Sequence, residues 1–373
     1  MNLHLLYIIG AFLVSMACGI LFIPLVIGFC RKKNLYDLPN ARKVHKCGVP
    51  RLGGVCFLPC MLLAFLIAMS VFNSSSSDSQ ITLNLWSVYF FISLLMVYAV
   101  GLVDDLIGLE AKTKFFVQLV AASLLPMAGL YINNLYGFCG INGIPFVIGA
   151  PLTVFIIVFI DNAMNLIDGI DGLSSGISFF ALSGFLYCFL REGLWIYGIL
   201  VAGLMGVLLS FMFFNLFGKA GKNKIFMGDS GSLTIGFILG FLFVKFSMDN
   251  PNVMPFRRDS MLLAYTLLVV PVFDVCRVIL VRMLHRRPIF GADKNHIHHK
   301  MIRAGLSQHG ALIAILLTAL LFIAVNFVMA DFCNITTVVV TDIVVWLGVQ
   351  QWVNYCIGKN KKEVFCCEHQ NHK

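Results

Sequence analysis

The chain has 373 residues, of which 59% are hydrophobic, and its mean hydropathy is +0.90. A soluble protein of this length could not bury so much apolar surface, so the composition excludes a soluble enzyme and predicts a polytopic membrane protein. The formal net charge of +9 would by itself be compatible with nucleic-acid binding. The basic residues lie mainly between apolar segments, however, and this distribution indicates membrane topology instead.

Apolar segments of helical length recur along the chain and predict an all-α fold. About eleven of them are long enough to span a bilayer, and they begin near residues 3, 53, 82, 115, 146, 174, 194, 232, 261, 309 and 334. They define a single membrane domain at residues 1–357, followed by a tail at 358–373. The 12 Cys are scattered, many of them inside apolar segments, and do not indicate a disulfide framework.

The connections between the predicted spans differ in charge, and the difference predicts the orientation of the chain. Of the 27 Lys and Arg residues, 23 lie in or beside alternate connections. These connections are residues 31–51, 104–114, 161–173, 218–231 and 285–308, together with the tail. The positive-inside rule assigns this set to the cytoplasm, so the N-terminus is predicted outside and the C-terminus inside.

The connection at residues 161–173 reads D-N-A-M-N-L-I-D-G-I-D-G-L and carries three Asp and two Asn between two apolar segments. A charge at the bilayer centre costs about 2.5–3.5 kcal/mol, so these acids require a reason. Helical spacing places Asp161, Asn165 and Asp168 on one face, with Asp171 at its edge. A hard cation and a phosphate would use such an oxygen-rich face, and solvated helix caps are the alternative.

Two earlier cytoplasmic connections offer groups that bind phosphate. The first contains H-K-C-G-V-P-R-L-G-G, in which Lys46 precedes two adjacent glycines. It predicts an anion cradle, or alternatively a cluster that binds lipid head groups. The second carries Asp104 and Asp105, followed by Lys112 and Lys114. Paired acids beside lysines suit a metal–diphosphate site, although a solvated loop would have the same composition.

The connection at residues 222–232 reads K-N-K-I-F-M-G-D-S-G-S. Phe226 could stack on a nucleotide base or anchor the chain at the membrane interface. Asp229 is a candidate metal ligand and also a candidate N-cap of the following helix. Asp274, farther along in an apolar segment, is either a functional acid or the buried partner of Arg277.

The last connection reads R-R-P-I-F-G-A-D-K-N-H-I-H-H-K from residue 286 to residue 300. Its histidines, His296, His298 and His299, suggest a zinc site at first sight. The surrounding Lys and Arg residues favour contacts with phosphate or sugar hydroxyls instead. Acids, lysines, glycines, histidines and one aromatic on a single membrane face together predict a Mg²⁺-dependent reaction of a nucleotide diphosphate.

The order and spelling of these motifs resemble the polyprenyl-phosphate N-acetylhexosamine-1-phosphate transferases of glycosyltransferase family 4. That superfamily also contains the phospho-MurNAc-pentapeptide transferases. The matching motifs are H-K-x-G-x-P-x-x-G-G at 45–54, D-D-x6-K at 104–112, N-A-x-N-x-x-D-G-x-D-G-L at 162–173, F-M-G-D-S-G-S at 226–232 and A-D-x-x-H-x-H-H at 292–299. The histidine motif is similar to that of the bacterial branch that uses UDP-N-acetylglucosamine or a relative, and differs from that of the peptidoglycan branch.

The resemblance implies an enzyme of the bacterial inner membrane that initiates a cell-surface polysaccharide such as lipopolysaccharide. It would transfer HexNAc-1-phosphate, and specifically GlcNAc-1-phosphate, from UDP-HexNAc to undecaprenyl phosphate and release UMP. The cofactor would be Mg²⁺, with Mn²⁺ as an alternative. The partners would be the two substrates and the lipid bilayer, without nucleic acid, and a homodimer stays an open alternative.

The resemblance also implies roles for individual residues. Asn165 and Asp229 would hold Mg²⁺, with Asp168 near the metal shell, and Asp104 and Asp105 would orient or deprotonate the acceptor phosphate. Phe226 would stack on uracil and Asp171 would bind the edge of the ring. The remaining substrate contacts would come from Lys46, Lys112, Lys114, His296, His298 and His299.

Several other readings stay open on the residues alone. A peptidoglycan phospho-MurNAc-pentapeptide transferase belongs to the same superfamily. A membrane prenyltransferase would favour D-D-x-x-D, but Gly108 stands at the last position of that pattern. A CDP-alcohol phosphotransferase would carry Ala-Arg soon after Asp168-Gly169, where this chain has Ile-Asp. A transporter would place polar residues inside several spans, usually in repeated halves, and no such repeat is found.

Overall fold

The computed structural model describes residues 3–37, 48–75, 85–251, 254–288 and 295–370. The helices are α1 Leu3–Lys33, α2 Phe57–Ser75, α3 Leu85–Ile107, α4 Ala111–Met127, α5 Phe146–Ile167, α6 Leu173–Arg191, α7 Trp195–Leu216, α8 Asp229–Ser247, α9 Ser260–Thr266, α10 Val269–Leu284, α11 Ile297–Arg303, α12 Gln308–Met329 and α13 Ile335–Gln370. A 3₁₀ helix, Gly53–Cys56, precedes α2. Two short antiparallel pairs join β1 Tyr36–Asp37 to β2 Val49–Pro50 and β3 Asn134–Phe138 to β4 Ile141–Gly143. The predicted all-α class is confirmed.

Within the described ranges, nine helical segments are long and apolar enough to cross a membrane. They are α1, α2 with its 3₁₀ turn, α3, α5, α6, α7, α8, α12 and the first part of α13. The protein is therefore a polytopic membrane protein, as the composition predicted. The tail boundary predicted at residue 357 does not coincide with a helix end, because α13 continues to Gln370.

The two other predicted spans correspond to α4 and to the pair α9–α10. Helix α4 has 17 residues and begins with polar and charged ones. The second segment is interrupted at residues 267–268, where Pro271 cannot donate the hydrogen bond that would continue the helix. Neither segment is among the nine candidate spans, and the total of about eleven crossings stays a prediction.

The two sets of connections predicted from charge lie at opposite ends of the helix bundle. At one end, which we call the acidic end, Phe226 N donates to Pro50 O at 2.8 Å and so joins the connections at residues 31–51 and 218–231. At the opposite end, Asp249 N donates to Asn133 Oδ1 at 2.8 Å. These contacts agree with the predicted grouping for the connections they join, and the assignment of the acidic end to the cytoplasm stays a prediction.

Helix α8 is the centre of the bundle and is buried from Ser230 to Ser247. It packs on α5 through Gly236 and Gly240, because a Cβ at Gly236 would lie 2.7 Å from Asp161 Cα and a Cβ at Gly240 would lie 3.1 Å from Ile157 Cα. Small residues at this spacing let two membrane helices approach closely. Gly101 of α3 lies equally close to the first turn of α8. The N-terminus of α8 is therefore held between α3 and α5. Asp104 and Asp105 lie at the C-terminal end of α3, and Asp168 follows the C-terminal end of α5.

Gly54→Ala is expected to destabilise the protein strongly. An added Cβ would lie 2.1 Å from Gly231 Cα and 2.2 Å from Gly231 N, and backbone atoms cannot rotate away as a flexible side chain can. Overpacking of this kind costs about 1–3 kcal/mol or more. Thermal unfolding in detergent should show a lower Tm than wild type. Gly10→Ala is the control, since its Cβ would meet nothing within 4 Å. Equal Tm values for the two variants would contradict the proposed close contact.

Candidate active site

The acidic end contains a cleft of about 500 Å³, a size typical of ligand sites. Eight of the residues predicted from sequence line it, namely Asp104, Asp105, Asn165, Asp168, Asp171, Phe226, Asp229 and His299. The residues come from connections far apart in the chain, and five of them are carboxylates. Sequence reasoning did not single out Asn215, Lys224 or Gln308, which line the same cleft.

Asp229 is the first residue of α8 and lies at the centre of the cleft's charged groups. It follows Gly228, whose φ of 74° favours glycine and whose Cβ position is blocked by Arg51 O at 2.2 Å. Lys114 Nζ donates to Asp229 Oδ2 at 2.6 Å and lies 3.2 Å from Asp104 Oδ2. One ammonium group therefore bridges two carboxylates from different helices, at a point where phosphate oxygens could also reach it.

Asp105 supports Asp229 from the end of α3. Its Oδ1 accepts a hydrogen bond from Asp229 N at 2.8 Å, and its Oδ2 accepts one from Ser230 N at 2.9 Å. Asp105 thereby caps α8 from another helix, so the alternative that Asp229 caps α8 itself is wrong. Asp105 is buried and both of its oxygens are occupied. These contacts give Asp105 a role in positioning Asp229, and its implied role in orienting the acceptor phosphate stays a prediction.

Asn165 and Asp168 face the cleft from the end of α5. Asn165 Nδ2 donates to Ser232 Oγ at 2.8 Å, which leaves Oδ1 as the amide atom available to a cation. The Asp168 side chain makes no hydrogen bond or ion pair with any residue of the described ranges. Burial, and then the carboxylates of Asp229, Asp171 and Asp105, raise the pKa of Asp168 to about 7. Excess negative charge at this point favours binding of a cation.

Mg²⁺ is the metal ion that the resemblance implies, and the oxygen atoms near Asp229 are the groups that could bind it. In the part of the chain that the structure describes, no three Asp, Glu, His or Cys side chains group closely enough to enclose a metal ion. Mg²⁺ does not need such a cage, because it keeps several waters and is usually held by one or two carboxylates plus substrate phosphates. The Asp229 carboxylate, the Asn165 amide oxygen and the unpaired Asp168 carboxylate fit that mode of binding.

A second group of residues occupies the side of the cleft near Phe226. Residues 224–228, which precede α8, form no regular helix or strand, and within them Ile225 and Met227 are buried whereas Lys224 and Phe226 line the cleft. Lys224 Nζ lies 2.6 Å from Asp171 Oδ2. Asp171 and Phe226, which the resemblance assigns to the uracil ring, therefore line the same cleft. Lys224 lies beside them, and no sequence motif had indicated it.

The histidine motif is organised by Asp274, which is completely buried. Asp274 accepts hydrogen bonds from His296 Nδ1 at 2.8 Å, Ile297 N at 2.9 Å and Arg277 at 2.9 Å. The predicted pairing with Arg277 is therefore present. The same carboxylate also fixes the start of α11 through Ile297 N. The sequence spacing of Asp274 and Ile297 does not predict this contact.

The three histidines differ in position. His299 lines the cleft, whereas His296 and His298 are buried. His298 packs against the glycine of the Asp168-Gly169 turn, where a Cβ would lie 2.1 Å from His298 Nε2. Burial lowers the pKa of His298 to about 3, helped by neighbouring His299 and His296, so this ring is neutral at pH 7. Of the three histidines, His299 is the one that lines the cleft, and contact of all three with the substrate stays a prediction.

Two other residues considered from the sequence, Lys112 and Asp161, do not line the cleft. Lys112 is exposed at the start of α4. Lys46 lies outside the described residues. Asp161 is fully buried next to Gln118. It contributes nothing to the cleft lining, and its function stays unassigned.

Fold and site together define a multi-pass membrane protein whose charged groups converge in one cleft at one end of the helix bundle. Residues 85–247, which run from α3 to the end of α8, match the family model described as glycosyl transferase family 4. This range contains Asp104, Asn165, Asp171 and Asp229, and therefore most of the cleft.

Full-length relatives extend the match to the remaining helices. A probable undecaprenyl-phosphate N-acetylglucosaminyl 1-phosphate transferase of Bacillus subtilis strain 168 is 30% identical over 354 residues, covering 93% of this chain and 88% of the relative. An undecaprenyl-phosphate alpha-N-acetylglucosaminyl 1-phosphate transferase of Yersinia pestis is 30% identical, covering 86% and 82%. A decaprenyl-phosphate N-acetylglucosaminephosphotransferase of Mycolicibacterium smegmatis is 32% identical, covering 75% and 71%. The chain belongs to glycosyl transferase family 4, and its resemblance to that family is confirmed.

Proposed function

We propose that the protein transfers N-acetylglucosamine 1-phosphate from UDP-N-acetylglucosamine to undecaprenyl phosphate and releases UMP. The observation that carries this proposal is the convergence of five Asp carboxylates, Lys114, Phe226 and His299 at one cleft. Relatives that cover most of the chain are named as transferases of N-acetylglucosamine 1-phosphate to undecaprenyl or decaprenyl phosphate. Those names support this donor and acceptor over a transporter or a peptidoglycan transferase.

The reaction joins an acceptor phosphate oxygen to the β-phosphorus of the donor and breaks the bond between that phosphorus and the bridging oxygen. Phosphoryl transfer depends mainly on in-line positioning and on neutralisation of the phosphate oxygens. A phosphate monoester has a second pKa near 6 and is largely dianionic at pH 7. A base therefore has only a small fraction of acceptor molecules to deprotonate.

The described residues divide these tasks. Asp104, whose Oδ1 accepts a hydrogen bond from Leu109 N at 2.7 Å, is held where it can orient the acceptor phosphate or take its remaining proton. Lys114 donates to the phosphate oxygens, and Phe226 stacks on the uracil ring. Asn165, Asp168 and Asp229 would hold Mg²⁺, which when bound supplies positive charge beside the diphosphate.

The orientation follows from the charge of the connections. The acidic end gathers the connections that are rich in Lys and Arg, and the positive-inside rule assigns them to the cytoplasm. The N-terminus then lies outside, the C-terminus lies inside, and the cleft opens where a cytoplasmic nucleotide sugar and a lipid phosphate of the inner leaflet can both enter. This arrangement supports the inner membrane of a bacterium as the location.

Purified protein with Mg²⁺, undecaprenyl phosphate and UDP-GlcNAc is expected to release UMP. A donor panel of UDP-GlcNAc, UDP-GalNAc and UDP-MurNAc-pentapeptide should give the fastest release with UDP-GlcNAc. The matched control omits the lipid acceptor and should release no UMP. The proposal fails if no donor yields UMP, and the peptidoglycan alternative replaces it if UDP-MurNAc-pentapeptide is fastest.

A further inference from the structure

Lys224 lies on the cleft wall in a defined setting. It lies with Phe226 in the segment at residues 224–228, and both residues line the cleft while Ile225 between them is fully buried. The other lysines of this connection, Lys219 and Lys222, are exposed and do not line the cleft. The position of Lys224 is therefore not explained by the positive charge of the connection as a whole.

Asn215 fixes the distance between Lys224 and the Asp171 turn. Its Nδ2 donates to Ile225 O at 2.9 Å, and its Oδ1 accepts a hydrogen bond from Gly172 N at 2.7 Å. The buried Asn215 amide thus binds both Ile225, which follows Lys224, and Gly172, which follows Asp171. The 2.6 Å contact between the Lys224 ammonium and the Asp171 carboxylate is built into the fold, in contrast to a surface ion pair between two mobile side chains.

We propose that Lys224 is a specificity-determining residue that binds the pyrimidine ring of the nucleotide donor together with Asp171. This inference rests on the proposed function, because it assumes a uridine nucleotide whose ring stacks on Phe226. The edge of uracil presents an N3–H donor between two carbonyl acceptors. The Asp171 carboxylate accepts the N3–H hydrogen bond, and the Lys224 ammonium, which has three donors, keeps its contact with Asp171 and donates to the adjacent carbonyl.

The same pair disfavours cytosine. Cytosine presents an unprotonated N3, which would place a lone pair against the Asp171 carboxylate, and it carries an amino group where uracil has O4. A site whose buried or half-buried polar groups lose their partners rejects the wrong ligand strongly. Lys224 and Asp171 therefore select UDP-sugars over CDP-sugars by the positions of donors and acceptors, and not by the size of the ring.

The test compares Lys224→Met with Lys222→Met, an exposed lysine of the same connection. UMP and CMP binding are measured by calorimetry on purified protein, and KM and kcat are measured from UMP release. Lys224→Met is expected to weaken UMP binding and raise the KM for UDP-GlcNAc by about 10- to 100-fold, while kcat changes by less than about threefold. The preference for UMP over CMP should fall, and Lys222→Met should match wild type.

A second variant separates contact with the base from support of Asp171. Lys224→Arg keeps a cation beside Asp171 but replaces the compact ammonium by a planar guanidinium. A lysine that binds the ring predicts an altered ratio of UMP to CMP affinity in this variant, even if the Met variant fails to fold. A wild-type ratio and wild-type KM in Lys224→Arg, or unchanged UMP binding in Lys224→Met, overturns the inference. Wild-type protein that releases no UMP from any donor would instead overturn the proposed function.

Discussion

Asp229→Asn is expected to reduce UMP release by about a thousandfold while leaving the protein folded. The substitution keeps the shape of the side chain and the backbone amide that donates to Asp105 Oδ1, so the start of α8 should remain in place. It removes the charge that Lys114 contacts at 2.6 Å and the carboxylate that would hold Mg²⁺. Loss of a single preorganised electrostatic contact to a reacting group typically costs about 10²–10³ in rate, and here two functions are lost together.

The measurement is UMP release as a function of Mg²⁺ concentration, with Tm recorded for each variant. Asp249→Asn is the matched control, because Asp249 follows the other end of α8 and accepts a hydrogen bond from Asn134 Nδ2 far from the cleft. The control should retain the wild-type rate and Mg²⁺ dependence. If Asp229→Asn also retains both, the assignment of Asp229 to the metal fails, and with it the reason for grouping Asn165 and Asp168 around it.

The overall architecture could be predicted because membrane proteins record it in simple patterns. Apolar length marks the helices, and the distribution of Lys and Arg separates the connections into the two sets that the structure places at opposite ends. Two segments, α4 and α9–α10, depart from the pattern of long apolar helices. The segment at α9–α10 has the composition of one span, but Pro271 interrupts its hydrogen bonding. Helix α4 carries Lys112 and Lys114 in its first turn, and Lys114 contacts the cleft residues Asp104 and Asp229.

Within the site, the sequence predicted which residue types converge but not how neighbours divide their roles. Asp104 and Asp105 are indistinguishable as a D-D pair. On a helix they point about 100° apart, and contact with α8 decides that Asp105 caps its N-terminus while Asp104 faces Lys114. The same limitation applies to the histidines, of which only His299 lines the cleft.

Residues that connect distant segments left the weakest signals. Asn215 ends an otherwise apolar helix, and its bonds to Gly172 and Ile225 span 43 and 10 positions of the chain. A polar residue at this end of an apolar helix indicates a functional or structural contact. The partners of Asn215, however, depend on how α6 and α7 pack together. Positions of this kind are determined by tertiary contacts, and local spacing does not reveal them.

Asp274→Asn is expected to slow UMP release by about 10- to 100-fold while UMP still binds. The carboxylate accepts hydrogen bonds from His296, Ile297 N and Arg277. An asparagine would present an NH₂ group to one of these donors and leave the Arg277 charge without its carboxylate, which is costly in a buried setting. The start of α11 should then shift, and His299, which lies on that helix, should leave its place in the cleft. Misplacement by about 1 Å can cost about a hundredfold in rate.

The control must separate this effect from general destabilisation, and Asp342→Asn provides it. Asp342 is also a buried carboxylate with polar partners, since it accepts hydrogen bonds from Tyr265 OH at 3.0 Å and Asn326 Nδ2 at 2.7 Å, but it lies toward the opposite end of the bundle. Both variants should have a lower Tm. At a temperature where both are folded, only Asp274→Asn should have a reduced kcat. Equal losses of kcat in the two variants would show that Asp274 contributes only to stability, whereas a selective loss would establish that a carboxylate outside the cleft controls the position of the histidine inside it.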